Sequence, residues 1–257
     1  MLGFCPLGSG SKGNCIYIGS SATKILIDVG LSCKAIVERL QVIGVDATEI
    51  AAIMITHEHI DHIRGLATFS KKYGVPICAN SDTAAAIESY FGVSFKFKIF
   101  TTGERFSFGD IDFLPFSVQH DAVDPVAFVI WVEGLKLGIC ADLGFVTPSV
   151  KKHLAYCDYL YIEANHEPSM VHASARPLVY KQRVLGRLGH LSNEQCAELV
   201  RDIYHPQLRH IHLAHLSSEC NAPLRALERV QSMCIAPVAI AKQDEISHPI
   251  VFPVIGV

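Results

Sequence analysis

No apolar run in the 257-residue chain approaches the roughly 18 residues that a membrane-spanning helix requires. The start, MLGFCPLGSGSKGN, has no cationic leader followed by an apolar stretch of signal-peptide length. A soluble, cytoplasmic protein without membrane contact is therefore expected. Nine cysteines are present, an odd number with no C-x-x-C pair among them. That argues against a disulfide framework and a zinc ribbon and leaves buried free thiols. Charge is also sparse: 18% of residues are charged and the net charge is -3, so the molecule as a whole offers no attraction for polyanions. Neither a linker nor a repeat of fixed period divides the chain. Half of its residues are apolar, enough for a large core, and one domain over residues 1–257 is expected.

Histidine, by contrast, is concentrated. Residues 57–62 read HEHIDH, three histidines and two acids in six positions. Two metal-hydrolase readings compete. In a helical zinc-protease motif, two histidines four residues apart share a helix face with a glutamate beside the first. Here the residue four after His57 is Asp61. In a strand-end loop, His57 and His59 alternate on extended backbone and reach one ion, while Asp61 and His62, past a bend, serve another. Residues 51–55 are apolar at every position, the mark of a strand buried on both faces, and this decides for the loop. A helix is expected from 61 or 62 to 73, ahead of Gly74 and Pro76.

The remaining patterns predict a hairpin from 14–20 and 24–29, a helix over 33–43, and a mainly β stretch from 75 to about 144. A strand at 159–163, helices at 174–188 and 193–204, a strand at 210–214 and a helix at 221–233 complete the pattern. Two βα halves with β-rich stretches between them predict an α/β fold, a four-layer αββα sandwich. Between Pro168 and Asn193 there is no acid, while Arg176, Lys181, Arg183 and Arg187 are basic, with 176, 183 and 187 expected on one helical face. That face is either a solvated flank or a track for a nucleic-acid backbone.

Further metal ligands are sought at strand ends. His120 follows DFLPFSVQ, Asp142 follows LGICA, His215 follows HIHLA, and Asp28 interrupts KILIDVG. With HEHIDH these supply nitrogens and oxygens for two divalent ions bridged by one carboxylate. The ordered set resembles the metallo-β-lactamase superfamily, an αββα fold with a dinuclear site in the groove between its sheets. The resemblance implies His57, His59 and His120 around one ion, Asp61, His62 and His215 around the other, Asp142 between them, and Asp28 fixing a ligand histidine. A histidine-rich set suits zinc, and the carboxylates also admit manganese or iron. Three branches are set aside: flavodiiron oxidoreductases have glutamate in place of His59, and thiolate lactamases have cysteine in place of Asp142. Nucleases of the ribonuclease J kind need an inserted domain that the 73-position separation of Asp142 and His215 cannot hold.

Substrate is read from residues between the last ligands. A strand ending in Glu163-Ala164-Asn165, a Gly189-His190-Leu191-Ser192 that opens a helix, and Ala214-His215-Leu216-Ser217 resemble ribonuclease Z and its relatives. That resemblance implies that Glu163 and His190 act together as proton donor. Ser192 and Gln195 match a capping box, which puts His190 just outside a helix N-terminus, where backbone N–H groups favour phosphate. LGSGSKGNC, EANHE, GHLSNEQCAEL and LAHLSSECN are similar to the WalJ/YycJ type of bacterial metallo-hydrolase, regarded as 5′-end DNA exonucleases. The resemblance implies phosphodiester hydrolysis by hydroxide bridging two ions, with Asp61 orienting the nucleophile and His190, supported by Glu163, protonating the leaving group. Ser9, Asn14, His166, Arg176, Arg183 and Ser192 are expected to contact substrate. The Ser9 to Asn14 loop is equally readable as a tight turn, and His166 as a loop hydrogen-bonder. Nucleic acid, specifically DNA, is the expected partner, and self-association is left open. The rival is a small-molecule metallo-hydrolase cleaving a thioester or cyclic phosphodiester. A non-catalytic scaffold is disfavoured because no ligand position is missing.

Overall fold

Apolar side chains alternate along the strands so as to fill three separate cores, and three cores imply four layers. The computed structural model describes residues 1–253; residues 254–257, the end of the expected 1–257 domain, lie outside the described residues. The first sheet contains β1 (Gly3–Gly8), β2 (Cys15–Gly19), β3 (Lys24–Ile27), β4 (Ala52–Met54), β5 (Ile77–Ala79) and β6 (Phe97–Ile99). The second contains β7 (Phe106–Phe108), β8 (Ile111–Ser117), β9 (Val126–Val132), β10 (Leu135–Cys140), β11 (Tyr159–Glu163), β12 (His210–Ala214) and β13 (Val238–Ile240). A last strand, β14 (Ile250–Val251), returns to pair with β1.

In β3, Ile25 and Ile27 point between the sheets and Leu26 points outward; in β12, Ile211 and Leu213 point outward and Ala214 inward. This period of two sandwiches one core between the sheets. The outer core of the first sheet is covered by α1 (Cys33–Val42), α3 (Leu66–Tyr73) and α4 (Ser81–Phe91) through Ile36, Leu40, Leu66, Phe69 and Ile87. The second is covered by α5 (Pro148–Leu154), α8 (Asn193–Ile203) and α9 (Pro223–Gln231) through Leu154, Leu199, Val200 and Val230. The αββα sandwich read from the sequence is the observed architecture.

Each sheet has an antiparallel part and a parallel part. Strands β3 to β6 run parallel, as do β10 to β13. In open α/β sheets ligands gather at the carboxyl ends of parallel strands, and here Asp28, Asp142 and His215 lie just past the ends of β3, β10 and β12. All three hold left-handed backbone, at φ 57°, 55° and 53°, a region sparsely used by residues other than glycine.

Local details depart from the sequence reading in several places, α5 among them, which no expected helix covers. The helix expected to reach residue 73 is two helices, α2 (Ile60–Ile63) and α3, because Gly65 packs on the strand-end loop, its N–H bonded to the Val29 carbonyl. The helix expected over 174–188 is only α7 (Leu178–Leu185), since Pro177 disfavours helical backbone at Arg176, and a separate short helix, α6 (Pro168–Ala173), precedes it unannounced. Arg176 and Arg187 therefore lie off α7 and share no helical face with Arg183. Third, the stretch read as mainly β contains α4, capped by Asn80, whose side chain accepts from Thr83 N–H. Last, β1, β13 and β14 have no counterpart among the strands expected from the sequence. Among the described residues no helix is long and apolar enough to cross a membrane.

Candidate active site and metal centre

β4 ends at Met54, and the next residues carry the HEHIDH cluster on extended backbone until α2 begins at Ile60. His59 is the N-cap of α2, and Asp61 sits in its first turn. His57 is buried. Thr56 Oγ donates to Asp28 Oδ2 at 2.9 Å and so can accept from His57 Nδ1 at 3.0 Å. That leaves His57 Nε2 bare, buried and without a hydrogen-bond partner. Burial, together with the neighbouring His62 charge, holds the His57 pKa well below the usual imidazole value. A neutral imidazole with an exposed lone pair is what a metal ion requires.

Each other ligand candidate has one ring nitrogen engaged by the wall and one aimed inward. Asp28 accepts from His62 Nδ1 at 2.8 Å, the Gly189 carbonyl accepts from His120 Nδ1 at 3.0 Å, and the Asp121 carbonyl accepts from His59 Nε2 at 3.2 Å. Glu163 Oε1 accepts from His215 Nδ1 at 3.1 Å. The inward atoms form overlapping groups, each within 4.8 Å: His57, His59 and His120; Asp61, His62 and His215; His57, His62 and Asp142; and Asp142, Glu163, His190 and His215. The first two are the two sets expected from the sequence, and Asp142 joins the last two. Asp142 Oδ2, like His57 Nε2, is buried without a well-directed hydrogen bond, although His62 Nε2 lies 2.9 Å from it. These orphaned atoms, in a set of imidazoles and carboxylates, fit divalent metal.

Glu163 is wholly enclosed, at 0% exposure. Its Oε1 also accepts from His190 Nδ1 at 2.8 Å, while Oε2 accepts from Leu143 N–H at 2.8 Å and Leu191 N–H at 3.1 Å. Burial alone would raise its pKa, but the His190 charge and the histidine hydrogen bonds outweigh that and hold it at about 2. Glu163 is thus a fixed anion that orients His190 and His215 together. His190 presents its other nitrogen at the mouth, where His190, Asp61 and His59 side chains are 15%, 19% and 27% exposed.

The residues expected to contact substrate divide. Ser9 is 1% exposed and works inside the wall, accepting from His215 N–H at 2.8 Å and bonding Tyr161 OH at 2.6 Å. Asn14 Nδ2 reaches His62 Nε2 at 2.9 Å and Asp61 Oδ2 at 3.2 Å, and its Oδ1 accepts from Gly10 N–H. Both are enclosed, so their observed contacts position ligands. His166 is also buried, with Nδ1 lacking a partner and burial lowering its pKa to about 4; its carbonyl accepts from Asn193 N–H. Ser192 caps α8 in the capping box with Gln195. The basic cluster does not form the expected open track. Arg176 is bound by Glu219, Arg183 by Asp121, Lys181 by the His172 carbonyl, and Arg187 lies over the Phe145 ring. Of these, Arg183 is nearest the chemistry, because Asp121 follows the ligand candidate His120.

Sequence reasoning missed Thr56, Asp121, Tyr161 and Asn165, the last donating to the His215 carbonyl at 2.7 Å. All but Tyr161 are chain neighbours of a named site residue, which is the only signal the sequence offered.

Comparison with known proteins agrees with this geometry. The model of the beta-lactamase superfamily domain matches residues 23–213. The chain is 36% identical over 223 residues to the exodeoxyribonuclease YycJ of Bacillus anthracis, covering 86% of this chain and 84% of that one. It is 38% identical over 219 residues to the exodeoxyribonuclease WalJ of Streptococcus pneumoniae, covering 84% and 81%. Among solved structures, the metallo-beta-lactamase fold protein YhfI of Bacillus subtilis superposes with a TM-score of 0.74 at 15% identity, over 95% of this chain and 98% of that chain.

Proposed function

Because the chain belongs to the metallo-β-lactamase superfamily of metal-dependent hydrolases, we propose that it is a two-metal phosphodiesterase acting on DNA as a 5′ to 3′ exonuclease. The observation that carries the substrate is the kinship, over more than four-fifths of the chain, with proteins named exodeoxyribonucleases. His57, His59 and His120 would hold one ion and Asp61, His62 and His215 the other, with Asp142 shared; zinc or manganese suits this donor set. Such ions, when bound, lower the pKa of water and offset phosphate charge.

The chain's own groups supply the rest. Asp61 stands at the mouth, where its carboxylate orients the attacking water. Glu163 holds His190 Nδ1–H, so Nε2 faces outward as the proton carrier to the leaving oxygen. Asp28, Thr56, Asn14 and Ser9 keep the imidazoles aimed, Ser9 through the His215 backbone N–H. Arg183 is the cation placed to meet a substrate phosphate.

The pairing of Arg176 and Arg183 with acids favours the rival, a small-molecule hydrolase, since it leaves no open cationic track there. Metal-loaded protein incubated with duplex DNA labelled at the 5′ or 3′ end, beside a thioester and a cyclic phosphodiester, separates the two. Stepwise loss of 5′ label is expected. Thioester turnover with intact DNA would sink the exonuclease.

A further inference from the structure

Arg183 already holds an anion in the geometry a phosphate would take. Its Nε reaches Asp121 Oδ2 at 2.5 Å and its Nη2 reaches Oδ1 at 3.2 Å, the two-pronged contact that guanidinium makes with carboxylate and phosphate alike. Asp121 stands on the rim of the metal centre, with Oδ1 3.4 Å from His120 Nε2 and its carbonyl against His59 Nε2. The pair is open to solvent, with side chains 54% and 30% exposed. No other member of the basic cluster is so placed. Arg176 and Lys181 are occupied by Glu219 and the His172 carbonyl, and Arg187 lies on Phe145.

We propose that the Asp121 carboxylate is a built-in occupant of a phosphate subsite, holding Arg183 over the mouth until a substrate phosphate takes the guanidinium from it. This rests on the reading of the protein as a phosphodiesterase. An exposed ion pair is weak, so the exchange is easy, and the carboxylate left behind is accessible to water. A phosphate offers the same fork of oxygens. A neutral thioester offers no anion to make the exchange, so the pair discriminates between the two substrate classes. The Asp121 side chain occupies Arg183 and also lies 3.4 Å from His120 Nε2, so metal content has to be compared between variants, whereas its backbone carbonyl steadies His59 and survives any side-chain change.

The test uses the metal-loaded full chain as wild type, Asp121→Ala, Arg183→Ala and the double variant, with metal content measured for each. Two readouts are taken: KM for 5′-labelled duplex DNA over a salt series, and inhibition by inorganic phosphate of bis(p-nitrophenyl) phosphate hydrolysis. Asp121→Ala is expected to lower KM and the phosphate inhibition constant several-fold, and to steepen the salt dependence by about 0.9 in logarithmic slope for one freed cation. Arg183→Ala should raise both constants, and at equal metal content the double variant should match it, because Asp121 bears on phosphate binding through Arg183. Unchanged constants in Asp121→Ala, or a double variant that keeps the Asp121→Ala gain, overturn the proposal. If wild type leaves DNA intact while Asp121→Ala still tightens phosphate, the occupant stands and the nuclease reading fails. If DNA is cleaved and neither constant moves, the reverse holds.

Discussion

Glu163 joins the two halves of the chemistry through one oxygen, which accepts from the proposed proton carrier His190 and from the ligand candidate His215. Glu163→Gln keeps the size but loses the charge and one acceptor, and should lower activity about 10- to 100-fold with weaker metal retention. Steady-state rates with metal content measured alongside check this; full activity at full metal would remove Glu163 from the mechanism. His190→Ala removes the proton carrier itself and should cost about 10²- to 10⁴-fold in kcat with metal content unchanged. Gly30 is a quieter dependence. A Cβ there would fall 1.6 Å from the Asp61 carbonyl, so Gly30→Ala should push Asp61 from the mouth and lose activity, an effect that a folded, inactive variant by circular dichroism would document. At this scale the candidate metal residues were legible because HEHIDH clusters in sequence and the other His and Asp candidates each follow an apolar run, and the structure brings their side-chain atoms together. Thr56, Asp121 and the Gly189 carbonyl were not, because their roles come from partners 28, 62 and 69 residues away in sequence.

Among the elements, α8 carries the most consequence, since its capping box sets the chain next to His190. Ser192→Ala should destabilise the fold by about 1 kcal/mol in denaturant titration, with Gln195 left to bond the backbone N–H at position 192. No loss of stability would mean that the tertiary contacts of α8 hold its end without the cap. The box was legible because it is a local pattern, Ser192 and Gln195 lying within one turn. The segment before it departs from expectation for an equally local reason: the run of basic residues suggests one helical face, while Pro177 and Gly186 bound α7 at Leu178–Leu185. α4 was hidden because its buried positions are small, Thr83 and Ala84, with only Ile87 to announce a face. Most of the parallel strands were legible from their apolar runs, β4 (Ala52–Met54) most plainly, whereas the short, half-buried β13 was not.

For the molecule as a whole, the balance of charge in the site ties stability to pH. Burial opposes charge on His62 and His215, but Asp28, Asp142 and Asp61 around the first, and Asp142, Asp61 and Glu163 around the second, raise both pKa values well above 6.5. In metal-free protein these two histidines contribute stability that is complete below about 6.5 and lost as pH rises through their folded values. Asp61 and Glu163, held at about 2, act the opposite way: their contribution is present above the ordinary carboxylate range and is lost as pH falls toward 2. Metal needs both imidazoles neutral, so loading at neutral pH should release about two protons, and it should raise Tm more near pH 8 than near pH 6. Calorimetry in buffers of different ionisation enthalpy, with thermal melts at both pH values, checks this; the absence of proton release would show that the pair is neutral before metal arrives. The site residues run from Asp28 on the first sheet to His215 beyond β12 of the second, and Ser9 bonds both Tyr161 and the His215 backbone. A nascent chain therefore cannot complete the centre until β12 has been synthesised and docked, which keeps earlier folding intermediates catalytically silent.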